Sequence, residues 1–137
     1  LNFAKDIADM IMDRVKTEDA IPYWDYDAPV TKETPRDVSA ASVTASAMIE
    51  LSTMVPDGQK YLDYAEKILK SLSSDAYLAK VGDNQGFILM HSVGSLPNGS
   101  EIDTPLNYAD YYYLEALKRF MELKKLRVEH GELRMIQ

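Results

Sequence analysis

Apolar and polar positions recur along this chain in a few regular blocks, and each block predicts an element. Residues 1–16 place Phe3, Ile7, Met10, Ile11 and Arg14 at helical spacing, with Asp6, Asp9 and Asp13 on other faces. That is an amphipathic helix. Thr17 to Ala20 lead out of it into a stretch with no helical period, opening Ile21-Pro22-Tyr23-Trp24-Asp25-Tyr26-Asp27 and running to Pro29 and Pro35. Pro22 and Pro29 bias the residues before them to extended geometry, so this stretch is a loop. With Pro35 near its start and Asp37 in its first turn, a second helix of about four turns follows, ending near Leu51. After a break at Ser52 to Pro56, Asp57 is the expected cap of a third helix carrying Tyr61, Ala65, Ile68, Leu69 and Leu72. Two helices joined by so short a break form an antiparallel hairpin. Asp75 to Lys80 offer another helical turn or two.

The period fails from Gly82 to Asn107, where Gly82, Gly86, Gly94, Pro97, Gly99 and Pro105 punctuate the chain. Inside it the apolar run Phe87-Ile88-Leu89-Met90 predicts a short strand or extended segment. A loop this long inside a compact domain is commonly functional or disordered, and the buried-looking run favours function. From Tyr108 the helix period resumes through Tyr112, Tyr113, Ala116, Leu117, Phe120 and Met121, into a charged tail expected to fray after Arg127.

The second helix is the unusual one. Ser39, Ala40, Ala41, Ser42, Thr44, Ala45, Ser46 and Ala47 are all small, and Glu50 is the one charged residue between Val38 and Leu51. A surface helix shows one apolar stripe and one charged face. This helix predicts an inner position, with neighbours on several sides and the preceding aromatic and acidic loop at the mouth of whatever they enclose.

Composition narrows the function. The net charge of −7 argues against general nucleic-acid binding. Residues 118–137 depart from it, with six basic side chains (Lys118, Arg119, Lys124, Lys125, Arg127, Arg134) against Glu122, Glu129 and Glu132. A solvated helix accounts for that tail, and a polyanion-docking patch is the alternative. No run of ~18 apolar residues is present to span a bilayer. There is no cysteine, hence no disulfide or thiolate site, and no second histidine stands at ligand spacing from His91. No metal and no cofactor are expected. The chain begins at Leu1 directly inside an apolar helical pattern, so the 137 residues read as part of a longer protein.

Candidate chemistry lies in the two irregular stretches. Asp25 and Asp27 alternate, so in an extended loop their carboxylates converge, unless they cap turns, which is the simpler reading. Trp24 is a sugar-stacking platform or part of the core. Arg36 could grip an anion bidentately, although an ion pair pinning loop to helix is the simpler role. His91 reads first as a hydrogen-bonded structural residue. Ser95, Asn98 and Ser100 surround a Pro97-Asn98-Gly99 turn that forms without any ligand. Tyr108 to Tyr113 read as core and interface.

Two of these stretches carry a resemblance. P-Y-W-D-Y-D-A-P followed by P-R-D-V-S-A-A-S, and H-S-V-G-S-L-P-N-G-S-E-I-D-T-P-L-N-Y-A-D-Y-Y-Y-L-E-A-L at residues 91–117, together resemble the unsaturated glucuronyl hydrolases, glycoside hydrolase family 88. The resemblance implies an all-α fold: residues 1–137 as the C-terminal part of one (α/α)6-barrel domain, built of helical hairpins with one long irregular loop between the last helices. It also implies hydration of the vinyl ether in a 4,5-unsaturated uronic acid at the end of a lyase-generated oligosaccharide. The family's catalytic aspartates match nothing here, so no catalytic residue is assigned. Trp24, Asp25, Asp27, Arg36, His91, Ser95, Asn98 and Ser100 are the substrate-binding candidates. Some relatives carry a Ser-x-x-Ser-Gly-Lys sulfate-recognition pattern at the turn; this chain has Ser95, Asn98, Gly99 and Ser100 but no lysine. The implied partners are the unsaturated uronyl oligosaccharide and the remainder of the barrel, or self-association through the open face, with neither nucleic acid nor membrane. The resemblance suggests a bacterial cytoplasmic or periplasmic setting. Unsaturated rhamnogalacturonyl hydrolases are the nearest enzymatic rival, and a non-catalytic α-helical carbohydrate- or protein-binding module is the rival of another class.

Overall fold

Asp37 starts the central helix by accepting the Ser39 amide at 2.9 Å and the Ser39 hydroxyl at 2.6 Å. It is thus the N-cap itself rather than a first-turn residue, and it satisfies donors that the helix cannot. The computed structural model describes residues 1–129, in the order α1 (Asn2–Arg14), α2 (Val38–Ser52), α3 (Gln59–Leu72), β1 (Ser92–Ser95), β2 (Ser100–Thr104) and α4 (Asn107–Glu129). The tail residues His130, Glu132 and Arg134 lie outside that range.

Helix α2 is an inner helix, as its small residues predict. It packs against α3, α4, α1 and β1, and only Val43, Ala47 and Glu50 along it are exposed. Its buried hydroxyls are accounted for locally: Ser42 donates to the Ser39 carbonyl and Ser52 to the Ile49 carbonyl. Ser46 reaches across to Glu115 on α4, where Arg119 also bonds the Ser46 carbonyl. Small polar residues can therefore fill a helix interface without leaving orphaned donors.

The α2–α3 hairpin forms as expected, but its cap differs. Gly58 occupies the N-cap without a side-chain bond. Asp57 instead pairs with Lys5 of α1 at 2.8 Å, and the Lys5 hydrogen bond holds its pKa below the ordinary value. An ion pair to a neighbouring helix has taken the carboxylate from the turn. The apolar face of the amphipathic α1 is only partly covered. Ala8 is buried and Ile11 and Met12 rest on the core, while Phe3 is 76% exposed and Ile7 and Met10 40% each. In α4, Ala109, Tyr113 and Ala116 are buried as the period requires, but Met121 stands 68% exposed. It lies one residue, or about 100° of helix, beyond the half-buried Phe120. The helix runs on past Arg127 to Glu129.

Asp75 to Lys80 form turns and no helix. Their backbone is used elsewhere: the Ala79 amide bonds the Ile88 carbonyl and the Met90 amide bonds the Tyr77 carbonyl, both at 2.9 Å. The 87–90 run is accordingly extended with a single bridge, Leu78 to Leu89, and is not a strand. Asp110 of α4 caps it sideways, accepting the Ile88 and Leu89 amides at 2.8 and 2.9 Å. The paired strands lie just downstream, as an antiparallel β1–β2 hairpin with Val93 opposite Ile102 and Ser95 opposite Ser100.

Candidate functional site

Two successive amides at the start of α2 hold the two irregular stretches. The Asp37 amide bonds the Pro22 carbonyl at 2.9 Å, and the Val38 amide bonds the His91 carbonyl at 3.1 Å. The Asp37 carboxylate also accepts the Val93 amide of the hairpin at 3.2 Å. Both stretches therefore meet at one end of the inner helix.

The first closes on itself through a Tyr23–Arg36 bridge and a Trp24 amide to Pro35 carbonyl bond at 3.1 Å. Its carboxylates do not converge. Asp25 accepts the Asp27 amide at 2.7 Å, the turn-capping role, and Asp27 pairs with Arg14 of α1. Arg36 makes the simpler of its two expected contacts, but with a distant partner: Asp19 at 3.2 Å, together with the Ile21 carbonyl. Its guanidinium carbon also sits 4.5 Å from the centre of the Tyr23 ring.

Asp19 is the node here. It accepts from the Tyr77 hydroxyl at 2.5 Å and the Ile21 amide at 3.1 Å besides Arg36. Burial pushes its pKa up, but the Tyr77 bond, the Ile21 amide and the Arg36 charge outweigh this and hold it below 3.8. Burial, reinforced by Asp19, raises the Tyr77 phenol well above its usual value. A carboxyl depressed in the fold contributes stability that is complete above its unfolded pKa and is lost as pH falls through the folded one. The denaturation midpoint is therefore expected to fall as pH drops below about 4, where Asp19 shares the loss with the other depressed carboxyls Asp9, Asp57 and Glu66. Asp19→Asn should flatten that limb and lower the midpoint at neutral pH; an unchanged limb would remove Asp19 from this role.

Two adjoining clefts open beside the loop and share Arg14, Tyr23, Asp25 and Tyr26 as a common wall. One, of about 560 Å³, continues over Trp24, Asp27, Met10 and Ala40. The other, of about 410 Å³, continues over Lys16, Thr17, Pro22 and Val30. Trp24, Asp25 and Asp27 are thus brought together, while Arg36 lines neither cleft and stands against the Tyr23 ring.

The remaining candidates sit on the hairpin. His91 has a left-handed backbone (φ 69°), and its Nδ1 lies 2.6 Å from Asp103 Oδ1. Its ring meets Tyr77 edge to face at 6.2 Å. Asp103 is the extra residue of the bulge between the Ser92–Thr104 and Val93–Ile102 pairs, which turns it towards His91. Asn98 donates to Ser95 Oγ at 2.7 Å across the turn, and Gly99 takes the left-handed position at φ 66°. No hairpin residue lines either of the two clefts. The chain Arg36–Asp19–Tyr77–His91 connects the two groups. Sequence reasoning did not assign Arg14, Asp19 or Tyr77 to the site, and it placed Asp37 only as a helix-start signal. Of these, only Asp37 has a local signature, an acidic residue two before a serine at a helix start.

No protein-family model matches the chain. It is 48% identical over 106 residues to the unsaturated glucuronyl hydrolase of Formosa agariphila, covering 77% of this chain and 26% of that one. With the enzyme of the same name from Bacillus sp. strain GL1 it shares 32% over 123 residues, 87% of this chain and 32% of that one. Among solved structures, an unsaturated glucuronyl hydrolase specific for heparin superposes with a TM-score of 0.85 at 62% identity, over 88% of this chain and 33% of that one. A Streptococcus agalactiae variant complexed with dGlcA-GalNAc6S superposes with a TM-score of 0.75 at 30% identity, over 83% and 31%. These neighbours are (α/α)6 barrels, and α1 to α4 with their two long connections are a part of that ring. The chain spans a quarter to a third of the length of the relatives that it matches, and over that span it is similar in sequence and fold to one part of the unsaturated glucuronyl hydrolases.

Proposed function

We propose that this chain is the C-terminal part of a glycoside hydrolase that releases 4,5-unsaturated glucuronic acid from lyase-generated glycosaminoglycan oligosaccharides. The observation that carries the reading is the 62% identity and 0.85 TM-score to the heparin-specific enzyme. The bond attacked is a vinyl ether. A carboxylic acid protonates C4, the positive charge develops at C5 and on the ring oxygen, water adds at C5, and the resulting hemiketal opens and frees the sugar. That acid must remain protonated near neutral pH, which burial or a neighbouring charge achieves. Asp25 and Asp27, tied to a turn amide and to Arg14, are poorly suited to it. The acid is therefore supplied by the part of the barrel outside this chain. What this chain supplies is wall: the Tyr23–Trp24 aromatic surface, the carboxylates beside it, and the hairpin of His91, Ser95, Asn98 and Ser100.

The test is the ultraviolet absorbance of the C4–C5 double bond, followed with the full-length protein and an unsaturated glycosaminoglycan disaccharide. Steady loss of absorbance, with one uronate released per bond, is the expected result. Binding without turnover would favour the non-catalytic module, and turnover only of unsaturated rhamnogalacturonyl substrates would favour that related class.

A further inference from the structure

We propose that Asp37 is a positioning residue for the sugar-binding wall: its carboxylate fixes the bearing of the β1–β2 hairpin against the inner helix, and so sets how the hairpin meets the oligosaccharide. The inference rests on the carbohydrate reading above and adds the residue that holds the wall in place.

The hairpin is clamped at two points. The Val38 amide donates to the His91 carbonyl at 3.1 Å, and Asp37 Oδ1 accepts the Val93 amide at 3.2 Å. Residues 91 and 93 thus meet neighbouring groups at the start of α2, with Ser92 fully buried between them. The same Asp37 oxygen accepts the Ser39 amide and hydroxyl, so one atom caps the helix and holds the hairpin. Asp37 is itself buried, where hydrogen bonds are stronger than in water. Its amide donates to the Pro22 carbonyl at the opening of the aromatic loop, so both walls are referred to one residue.

Two irregularities fall at the clamped point: the left-handed His91 at φ 69°, and the bulge between the Ser92–Thr104 and Val93–Ile102 pairs. Such conformations persist where the surroundings over-determine them. Beyond it, no residue from Gly94 to Asp103 is buried. The hairpin therefore projects from the core, and its bearing is decided at its root. Ser95, Asn98 and Ser100 all lie past that root. At about 3.3 Å per strand residue, Ser95 stands roughly 7 Å beyond Val93, and a rotation of about 15° at the root carries it about 2 Å. That displacement is enough to break a hydrogen bond to a sugar.

The experiment uses the full-length protein and separates the clamp from the cap. Asp37→Asn keeps an oxygen at the same reach and so both contacts. Asp37→Ser caps a helix as well as aspartate does, but its hydroxyl lies one bond nearer the backbone and cannot also reach Val93. Asp37→Ala loses both. With an unsaturated glycosaminoglycan disaccharide, KM for Asp37→Ser is expected to rise about tenfold with kcat within about twofold, as lost binding without lost chemistry requires. Asp37→Asn should stay within about twofold of the wild type in both constants. The melting temperature should fall clearly only in Asp37→Ala. A wild-type KM in Asp37→Ser overturns the proposal, as does an equal rise in Asp37→Asn. So does a KM that merely follows the melting temperature across the three variants, since the helix cap alone would then explain it. Calorimetric binding of the same disaccharide separates this role from the enzymatic reading. Turnover with no Asp37 effect removes the positioning role alone. Binding about tenfold weaker in Asp37→Ser, without turnover by the wild type, removes the enzymatic reading alone, and a wild type that neither binds nor turns over removes both.

Discussion

Replacing Gly58 by alanine is expected to destabilise the protein by about 3 kcal/mol or more, the upper range for overpacking against a rigid neighbour. A β-carbon there would lie 1.9 Å from the Ser52 carbonyl oxygen and 2.7 Å from its carbon. Both are backbone atoms of the last residue of α2, so no side-chain rotation relieves the clash. The α2–α3 hairpin would have to open, and it opens onto Tyr61, Leu62, Ala65 and Ile68, which are among the most deeply buried residues of the chain. Gly99→Ala is the internal comparison. Gly99 has open space around it and only a left-handed φ of 66° to lose, worth roughly 1–2 kcal/mol. Urea midpoints for the two variants should therefore fall in the order wild type, Gly99→Ala, Gly58→Ala. A Gly58→Ala midpoint at or above that of Gly99→Ala would mean that the hairpin is looser than its geometry indicates.

How far the sequence foretold this structure depends on the range of the contact concerned. The inner position of α2 was legible because a helix of Ser, Ala and Thr has no face to give to water, and that follows from composition alone. The α3 stripe was legible for the same reason in periodic form, with Tyr61, Ala65, Ile68, Leu69 and Leu72 all buried. Asp57 was misplaced because the cap competes with Lys5, fifty-two residues earlier, and no local pattern records that partner. The 87–90 run takes the extended form of its two expected ones, not the strand, for a related reason: its β-propensity is real, but Asp110 and the Tyr77–Ala79 backbone take the groups that a strand partner would use. In the site, the turn-capping role of Asp25 was readable from its residue type in a loop, against the convergence that the Asp-x-Asp spacing offered. The partner of Arg36 was not, since Asp19 lies seventeen residues away and joins it only when the loop folds back. Arg14 read as one more position on an amphipathic helix, and its partner Asp27 reaches it only when the loop folds back. Motif resemblance supplied the family, which spacing and charge could not have done.

The second large effect follows from the proposed function: the hydrolytic activity proposed for the full-length protein is expected to be lost when the 137 residues are assayed alone. Its first cause is chemical: the carboxylates at the clefts are engaged in a turn and an ion pair, and the proposed function puts the proton donor outside this chain. Its second cause is physical. Leu1 and, on α1, Phe3, Ile7 and Met10, with Tyr108, Tyr111 and Leu114 on α4, are exposed, leaving two helices with uncovered apolar surface. Surfaces of that kind associate in water, so the separated chain should also self-associate in light scattering, where a clean monomer with a cooperative melt would contradict the open-ring account. The most direct measurement places the full-length protein and this chain side by side on one unsaturated glycosaminoglycan disaccharide and follows the double-bond absorbance. The account predicts complete loss of the signal with the first and a flat trace with the second. Turnover by the 137 residues alone would contradict it, because the proton donor would then have to lie within this chain.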